Sequence, residues 1–237
     1  MNERLTLFPD TTRVVRNARV DDSLAIAGCD VAELASTYGT PLYLFDEATL
    51  DARVKAYRAA LRAHYAGDSA ITLAGKALLM RASAQWAARS GLWLDCTGAG
   101  ELAIAAAAGF PPERILVHGV NKSDEDLRAA FESAAVIVVD NLSELRRLLA
   151  LARGGSAPAP ARRGSAPARR GSAPALWLRV RPGVAVDTHA YRQTGQLDSK
   201  FGMDSSEVAT ALRMCAEAGQ AVEGIHFHQG SHFHDVA

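Results

Sequence analysis

The feature that most constrains this chain is a recurring alternation. Short runs of apolar, often β-branched residues are each followed by an amphipathic, alanine-rich stretch with helical spacing. P-L-Y-L-F (41–45) leads into a helical pattern from Asp46 to about Ala66. I-T-L-A-G-K (71–76) precedes a helix over 82–90, and L-W-L-D-C (92–96) precedes one starting near Gly100. R-I-L-V-H-G (114–119) is followed by a helix that Ser123 caps ahead of acidic first-turn residues. A-V-I-V-V-D (135–140) leads to N-L-S-E-L-R-R-L-L-A-L-A, and L-W-L-R-V (176–180) and G-I-H-F-H (224–228) flank a helix over 205–218. Strands this short and uniformly apolar, separated by helices, predict parallel βα units with both sheet faces covered. Such units build either an open doubly wound sheet or a closed (β/α)8 barrel, and periodicity leaves both open. Six strands follow from the Lys76 strand onward, two short of a full barrel, and the sequence stops at D-V-A just after the last.

Composition narrows the partners. The 237 residues are enough for a substantial core, and 26 lysines and arginines balance 26 aspartates and glutamates. Nothing in that balance predicts a nucleic acid or an anionic membrane as partner. The start, M-N-E-R-L-T-L-F-P-D, has no basic and apolar leader pattern, and no apolar run is long enough to span a bilayer. Three cysteines, Cys29, Cys96 and Cys215, lie far apart without CxxC spacing, which predicts free thiols in a cytoplasmic protein.

One segment breaks the pattern. Residues 155–175 read as three near-copies of G-S-A-P-A joined by Arg-Arg. That composition cannot build a core, so a disordered insertion over 153–175 is expected, tolerated because long loops cost little extra closure entropy. A basic tether through Arg162, Arg163, Arg169 and Arg170 is the less favoured reading.

Ligand sites in parallel α/β architectures form at the C-terminal ends of the strands. Lys76, Asp95, His118, Arg179 and His228 stand at those ends here. Taken singly, each has an ordinary explanation: an exposed lysine, a helix cap, turn histidines, an ion pair. Recurrence at five strand ends favours a shared site. A lysine beside apolar walls can form a Schiff base with a carbonyl, as pyridoxal phosphate chemistry requires. His228 could then meet the pyridine ring, and Gly230 and Ser231 could bring backbone donors to a phosphate. The four histidines His226, His228, His232 and His234 offer a metal reading, with His226 and His228 on one strand face. No carboxylate or cysteine cluster joins them, so it ranks well below a cofactor, and no metal is expected.

Taken in order, A-G-K-A (74–77), L-D-C-T-G-A-G-E-L (94–102), L-V-H-G-V-N-K-S (116–123), L-R-V-R-P-G-V (178–184), D-S-K-F-G (198–202) and G-I-H-F-H-Q-G-S (224–231) resemble the pyridoxal-phosphate-dependent amino-acid decarboxylases. The likeness is strongest to their diaminopimelate branch. It implies an alanine-racemase-like (β/α)8 TIM-type barrel, incomplete here, lacking its last strands and a C-terminal β domain. Residues 1–45 would then pack with that missing domain, and 46–237 would form the partial cofactor-binding barrel. Lys76 matches the cofactor-holding lysine, His228 the ring-stacking histidine, and Gly230 with Ser231 the phosphate contacts. Asp95 and Arg179 match polar residues near the cofactor.

The implied reaction converts meso-diaminopimelate to L-lysine and CO2. Relatives acting on ornithine, lysine, arginine or carboxynorspermidine, and non-catalytic pyridoxal-phosphate barrels, stay open as alternatives. Full-length relatives are expected to be homodimers taking a small amino-acid substrate. No E-P-G motif occurs, Cys215 does not match the family cysteine, and Val120 stands where asparagine is common. The resemblance therefore implies little or no activity for this chain alone, unless a separate C-terminal chain completes it.

Overall fold

Strand order decides what periodicity leaves open. A computed structural model of the chain describes residues 8–17, 20–154, 173–182 and 200–228. They fall into two compact units, Met1–Ile71 and Thr72–Ala237. Most of the G-S-A-P-A repeat lies outside the described residues, as do Gly230, Ser231, His232 and His234.

In the first unit, β1 (Arg13–Asn17), β2 (Val20–Ile26) and β3 (Cys29–Asp30) form an antiparallel sheet. Ile26 pairs with Cys29, leaving the two-residue turn Ala27–Gly28 with both φ angles positive, +50° and +82°. That is the turn whose twist suits a hairpin, and glycine adopts it without a Cβ penalty. Asp30 then caps α1 (Val31–Tyr38), and Asp46 caps α2 (Glu47–His64) by accepting from the Thr49 N–H at 3.1 Å. The P-L-Y-L-F segment is not a strand. No ladder partner lies alongside it among the described residues, and Leu42, Tyr43, Leu44 and Phe45 are exposed. β propensity without a neighbouring strand to bond leaves the run irregular.

The second unit holds six parallel strands in the order β4 (Thr72–Ala74), β5 (Trp93–Cys96), β6 (Ile115–Val117), β7 (Val136–Val139), β8 (Ala175–Arg179) and β9 (Val222–His226). Spatial order equals sequence order. A doubly wound sheet would reverse direction at a switch point. This one advances steadily, with α3 (Arg81–Arg89), α4 (Ala99–Ala107), α5 (Asp124–Ser133), α6 (Leu142–Gly154) and α7 (Ser205–Glu217) packed each against the next. That is the progression of a barrel wall.

The sheet also curls. In a flat sheet, residues three strands apart are separated by roughly 14 Å. His118, just past β6, and His226, the last residue of β9, nevertheless have ring centroids 4.2 Å apart. The arc is not closed: among the described residues β4 pairs only with β5, and β9 only with β8.

The middle of the arc is driest. Every residue of β6 and β7 is buried, whereas β4 and β9 hold only half-buried and exposed residues. Inside the curve Trp93, Leu116, Val136, Val138 and Trp177 pack together. A Cβ on Gly224 would come within 2.9 Å of the Trp177 indole, so glycine there leaves room for the ring.

Candidate cofactor site at the strand ends

Side chains alternate between faces along each strand, so counting by twos from the packed inner layer locates the next one. Asp95 follows Trp93, His118 follows Leu116, Asp140 follows Val138, Arg179 follows Trp177, and His226 follows Gly224. The pairings Asp95 with Leu116, Val138 with Trp177 and Arg179 with His226 keep these registers aligned. The same two-residue step leads from Ala74, paired with Asp95, to Lys76, and from His226 to His228. A polar layer thus caps an apolar one at the C-terminal ends of the strands. The sequence pointed to Asp95, His118, Arg179, His228 and Lys76 here. It missed Asp140 altogether and considered His226 only as a metal ligand, though the same period of two along V-I-V-V-D and G-I-H-F-H reaches both.

Lys76 sits in the single 3-10 turn Gly75–Ala77 that ends β4, and its side chain is exposed rather than sunk among apolar walls. Gly75 permits this turn. A Cβ there would lie 2.7 Å from the Asp95 carbonyl oxygen, so only glycine lets β4 close onto β5 at that point. Glu101 braces the neighbouring loop by accepting from the Thr97 N–H at 2.7 Å.

Asp95 does not cap the next helix. The N-cap of α4 is Gly98, and the Ala99 N–H donates instead to Asp126 Oδ1 at 2.7 Å. Asp95 faces His118, with Oδ2 3.5 Å from Nδ1 and both side chains largely buried. Asp95 Oδ1, His118 Nε2 and His226 Nδ1 are buried with no hydrogen-bond partner among the described residues. Arg179 forms a buried ion pair, with NH1 3.0 Å from Asp140 Oδ1, and its guanidinium lies 4.6 Å from the centroid of the Phe201 ring. The Lys200–Phe201–Gly202 segment is therefore anchored at the mouth of the arc.

Burial and neighbouring positive charge disfavour the protonated forms of His226 and His228. Burial, reinforced by His118 and Arg179, pushes the His226 pKa down to about 3. His228 is exposed as a residue, yet partial desolvation of its ring lowers its pKa, and the next cause is the positive charge of Lys76. That second cause is informative. Lys76 lies beyond β4 and His228 beyond β9, at opposite edges of the sheet, and five flat-sheet spacings would put them roughly 24 Å apart. At that distance their charges would be screened, so the curl brings the lysine and the histidine to one mouth. Among the described residues, no three histidine, cysteine or acidic side chains are grouped to hold a metal ion, and no helix is long and apolar enough to cross a membrane.

Comparison with known proteins agrees with this architecture. Residues 47–237 match the family described as the pyridoxal-dependent decarboxylase, pyridoxal binding domain. The chain belongs to the pyridoxal-dependent decarboxylase family, and its six strands are part of that family's alanine-racemase-like α/β barrel. A diaminopimelate decarboxylase of Actinosynnema pretiosum is 37% identical over 98% of this chain and 47% of its own length. The Bacillus subtilis diaminopimelate decarboxylase is 39% identical over 90% of the chain and 46% of its own length. The crystal structure of diaminopimelate decarboxylase from M. jannaschii superposes with a TM-score of 0.78 at 27% identity, covering 97% of this chain and 50% of that one. The chain spans about half the length of the curated relatives it matches.

The family cofactor is pyridoxal 5'-phosphate, and the described residues fit it. An accessible amine stands at the end of β4, and a neutral, flat imidazole stands within its field. Three buried polar atoms without partners lie in the layer just before them, where buried groups ordinarily find a hydrogen bond.

Proposed function

We propose that this chain supplies the cofactor-binding half of a pyridoxal-phosphate-dependent carboxy-lyase acting on meso-diaminopimelate, releasing CO2 and leaving L-lysine. The observation that carries this reading is the curl of the sheet, which brings the His118 and His226 rings to 4.2 Å and gathers Lys76, Asp95, His118, Arg179, His226 and His228 at the strand ends of one arc. The substrate is supported by the relatives, named diaminopimelate decarboxylases, and by an M. jannaschii relative whose structure is a co-complex with L-lysine.

Each residue has a task. Lys76 offers an amine nucleophile at an accessible turn, which is what covalent capture of a carbonyl needs. When bound, pyridoxal phosphate accepts the electron pair released as the substrate's carboxyl group leaves. His228, held neutral by its surroundings, presents an uncharged imidazole face to the pyridine ring. Gly230 and Ser231 take the phosphate in this proposal, through backbone and hydroxyl donors. Asp95 and Arg179 supply an acceptor and a fixed cation at the strand-end layer, and the wall below them keeps water from the inner side. Residues 1–45 belong, on this reading, with a β domain of the longer protein. Homodimeric assembly and a cytoplasmic setting complete the proposal, the latter supported by three free thiols.

The test starts with the purified chain and pyridoxal phosphate. Borohydride should trap the cofactor covalently on Lys76, and the Lys76→Ala protein should trap none. Equal labelling of both proteins, or none of either, would sink the cofactor role. Release of CO2 from meso-diaminopimelate by a reconstituted full-length protein, compared with ornithine, lysine, arginine and carboxynorspermidine, then separates the proposed substrate from its rivals. Binding without release from any of them would favour a cofactor carrier.

A further inference from the structure

Asp140, which the sequence does not single out as a site residue, ties together several parts of the strand-end layer. Its Oδ1 accepts from Arg179 NH1 at 3.0 Å and from the Gly202 N–H at 3.3 Å. Its own N–H donates to Glu144 Oε1 at 3.2 Å, the oxygen that Lys122 Nζ also reaches, at 2.7 Å. The Arg179 guanidinium stacks on Phe201, and the Met203 N–H donates to the Arg179 carbonyl at 2.8 Å. Both members of the Arg179–Asp140 pair are almost fully buried, with side-chain exposures of 6% and 3%. One carboxylate thus links the ends of β7 and β8 to the segment 200–203.

We propose that Asp140 is a positioning residue for the cofactor site: it aims and neutralises Arg179, and through Arg179 and Gly202 it seats Phe201 at the strand ends. The inference rests on the cofactor reading above. A guanidinium that is both ion-paired and stacked has its plane fixed, which a lysine ammonium could not reproduce. The layer is rich in positive and potentially positive groups. Lys76 faces His228 from beyond β4, His118 from beyond β6 and Arg179 from β8, while Asp95 on β5 faces His118. Without Asp140, the charge on Arg179 stands uncompensated against His226 and His228, whose pKa values it already lowers.

The experiment uses the full chain, Asp140→Asn, Arg179→Gln, and the double variant. Asparagine keeps an acceptor for Gly202 and deletes only the charge. One readout is the dissociation constant of pyridoxal phosphate, followed by absorbance and confirmed by trapping on Lys76. A second is the ring titration of His228 by NMR in cofactor-free protein. Asp140→Asn should weaken the cofactor about tenfold and move the His228 midpoint to lower pH. The double variant should return that midpoint toward wild type while the cofactor stays weak, a rescue that a purely structural role would not produce.

If wild type traps the cofactor and Asp140→Asn changes neither quantity, the inference alone is overturned. If wild type traps nothing, the cofactor reading falls and takes the inference with it. Should Asp140→Asn unfold, Arg179→Lys replaces it, since it keeps the charge opposite Asp140 and loses the flat stack. Weaker cofactor binding with an unmoved His228 midpoint is then expected, and unchanged binding overturns the proposal.

Discussion

Lys122 is a buried ammonium whose three protons each have an acceptor: the Gly119 carbonyl at 2.7 Å, the Val138 carbonyl at 2.9 Å and Glu144 Oε1 at 2.7 Å. Burial raises the pKa of Glu144, and Lys122 works against that rise. Removing one partner of such a pair leaves an uncompensated polar group in the core, whereas replacing both can be nearly neutral. Lys122→Met should therefore lower stability by about 3–5 kcal/mol in urea unfolding, and adding Glu144→Leu should recover most of it. Recovery of none would mean that the two side chains act independently. His226 gives a pH signature. Its folded pKa of about 3 lies below the ordinary 6.5, so the unfolded chain binds more protons between those values. Its contribution is complete above about pH 6.5 and is lost progressively as pH falls toward 3. Urea midpoints at pH 7 and pH 4.5 should differ less in His226→Gln than in wild type, and an equal difference would contradict the assignment.

At the scale of elements, Asp126 ties two helices together. It completes a capping box with Ser123 at the start of α5, and its other oxygen accepts the Ala99 N–H at the start of α4. That second bond is the main reason its carboxyl pKa is lowered, so its contribution is present above about pH 4 and lost below it. Asp126→Ala should cost more than a single cap, whose loss is typically about 1 kcal/mol. Chemical denaturation beside Ser123→Ala makes the comparison. Gly75 is the other element-scale control. Gly75→Ala must push β4 away from the Asp95 carbonyl, and with it the turn that carries Lys76. The expected result is a folded protein with weakened cofactor trapping, read from circular dichroism and the borohydride adduct together.

Across the whole second unit, the arc leaves β4 and β9 as sheet edges among the described residues. Beside the β9 edge, Ile225 is 64% exposed and Phe227 56%. Unpaired edges with apolar side chains are templates for association. Light scattering should show concentration-dependent self-association of this chain, reduced by Ile225→Lys. An unchanged profile would place the association elsewhere.

Much of this architecture is set by short-range rules. Strand and helix positions, the Ser123 cap and the crowding of polar residues at strand ends follow from propensity, period and capping, which act within a few residues and are readable along the chain. The sequence by itself therefore determined most elements of the second unit and the crowding of polar residues, Lys76 among them, at its strand ends. What it left undetermined depends on neighbours distant in sequence. P-L-Y-L-F has the composition of a strand, but among the described residues no strand pairs with it. Asp140 and Arg179 are 39 residues apart, and only the β7–β8 register joins them. Lys122 finds Glu144 only once β6, β7 and α6 have packed. The direction and curl of the sheet were likewise decided by tertiary structure, because strand order and twist are properties of the assembled strands. That curl brings Lys76 and His228, which lie at opposite ends of the strand series, to the same mouth.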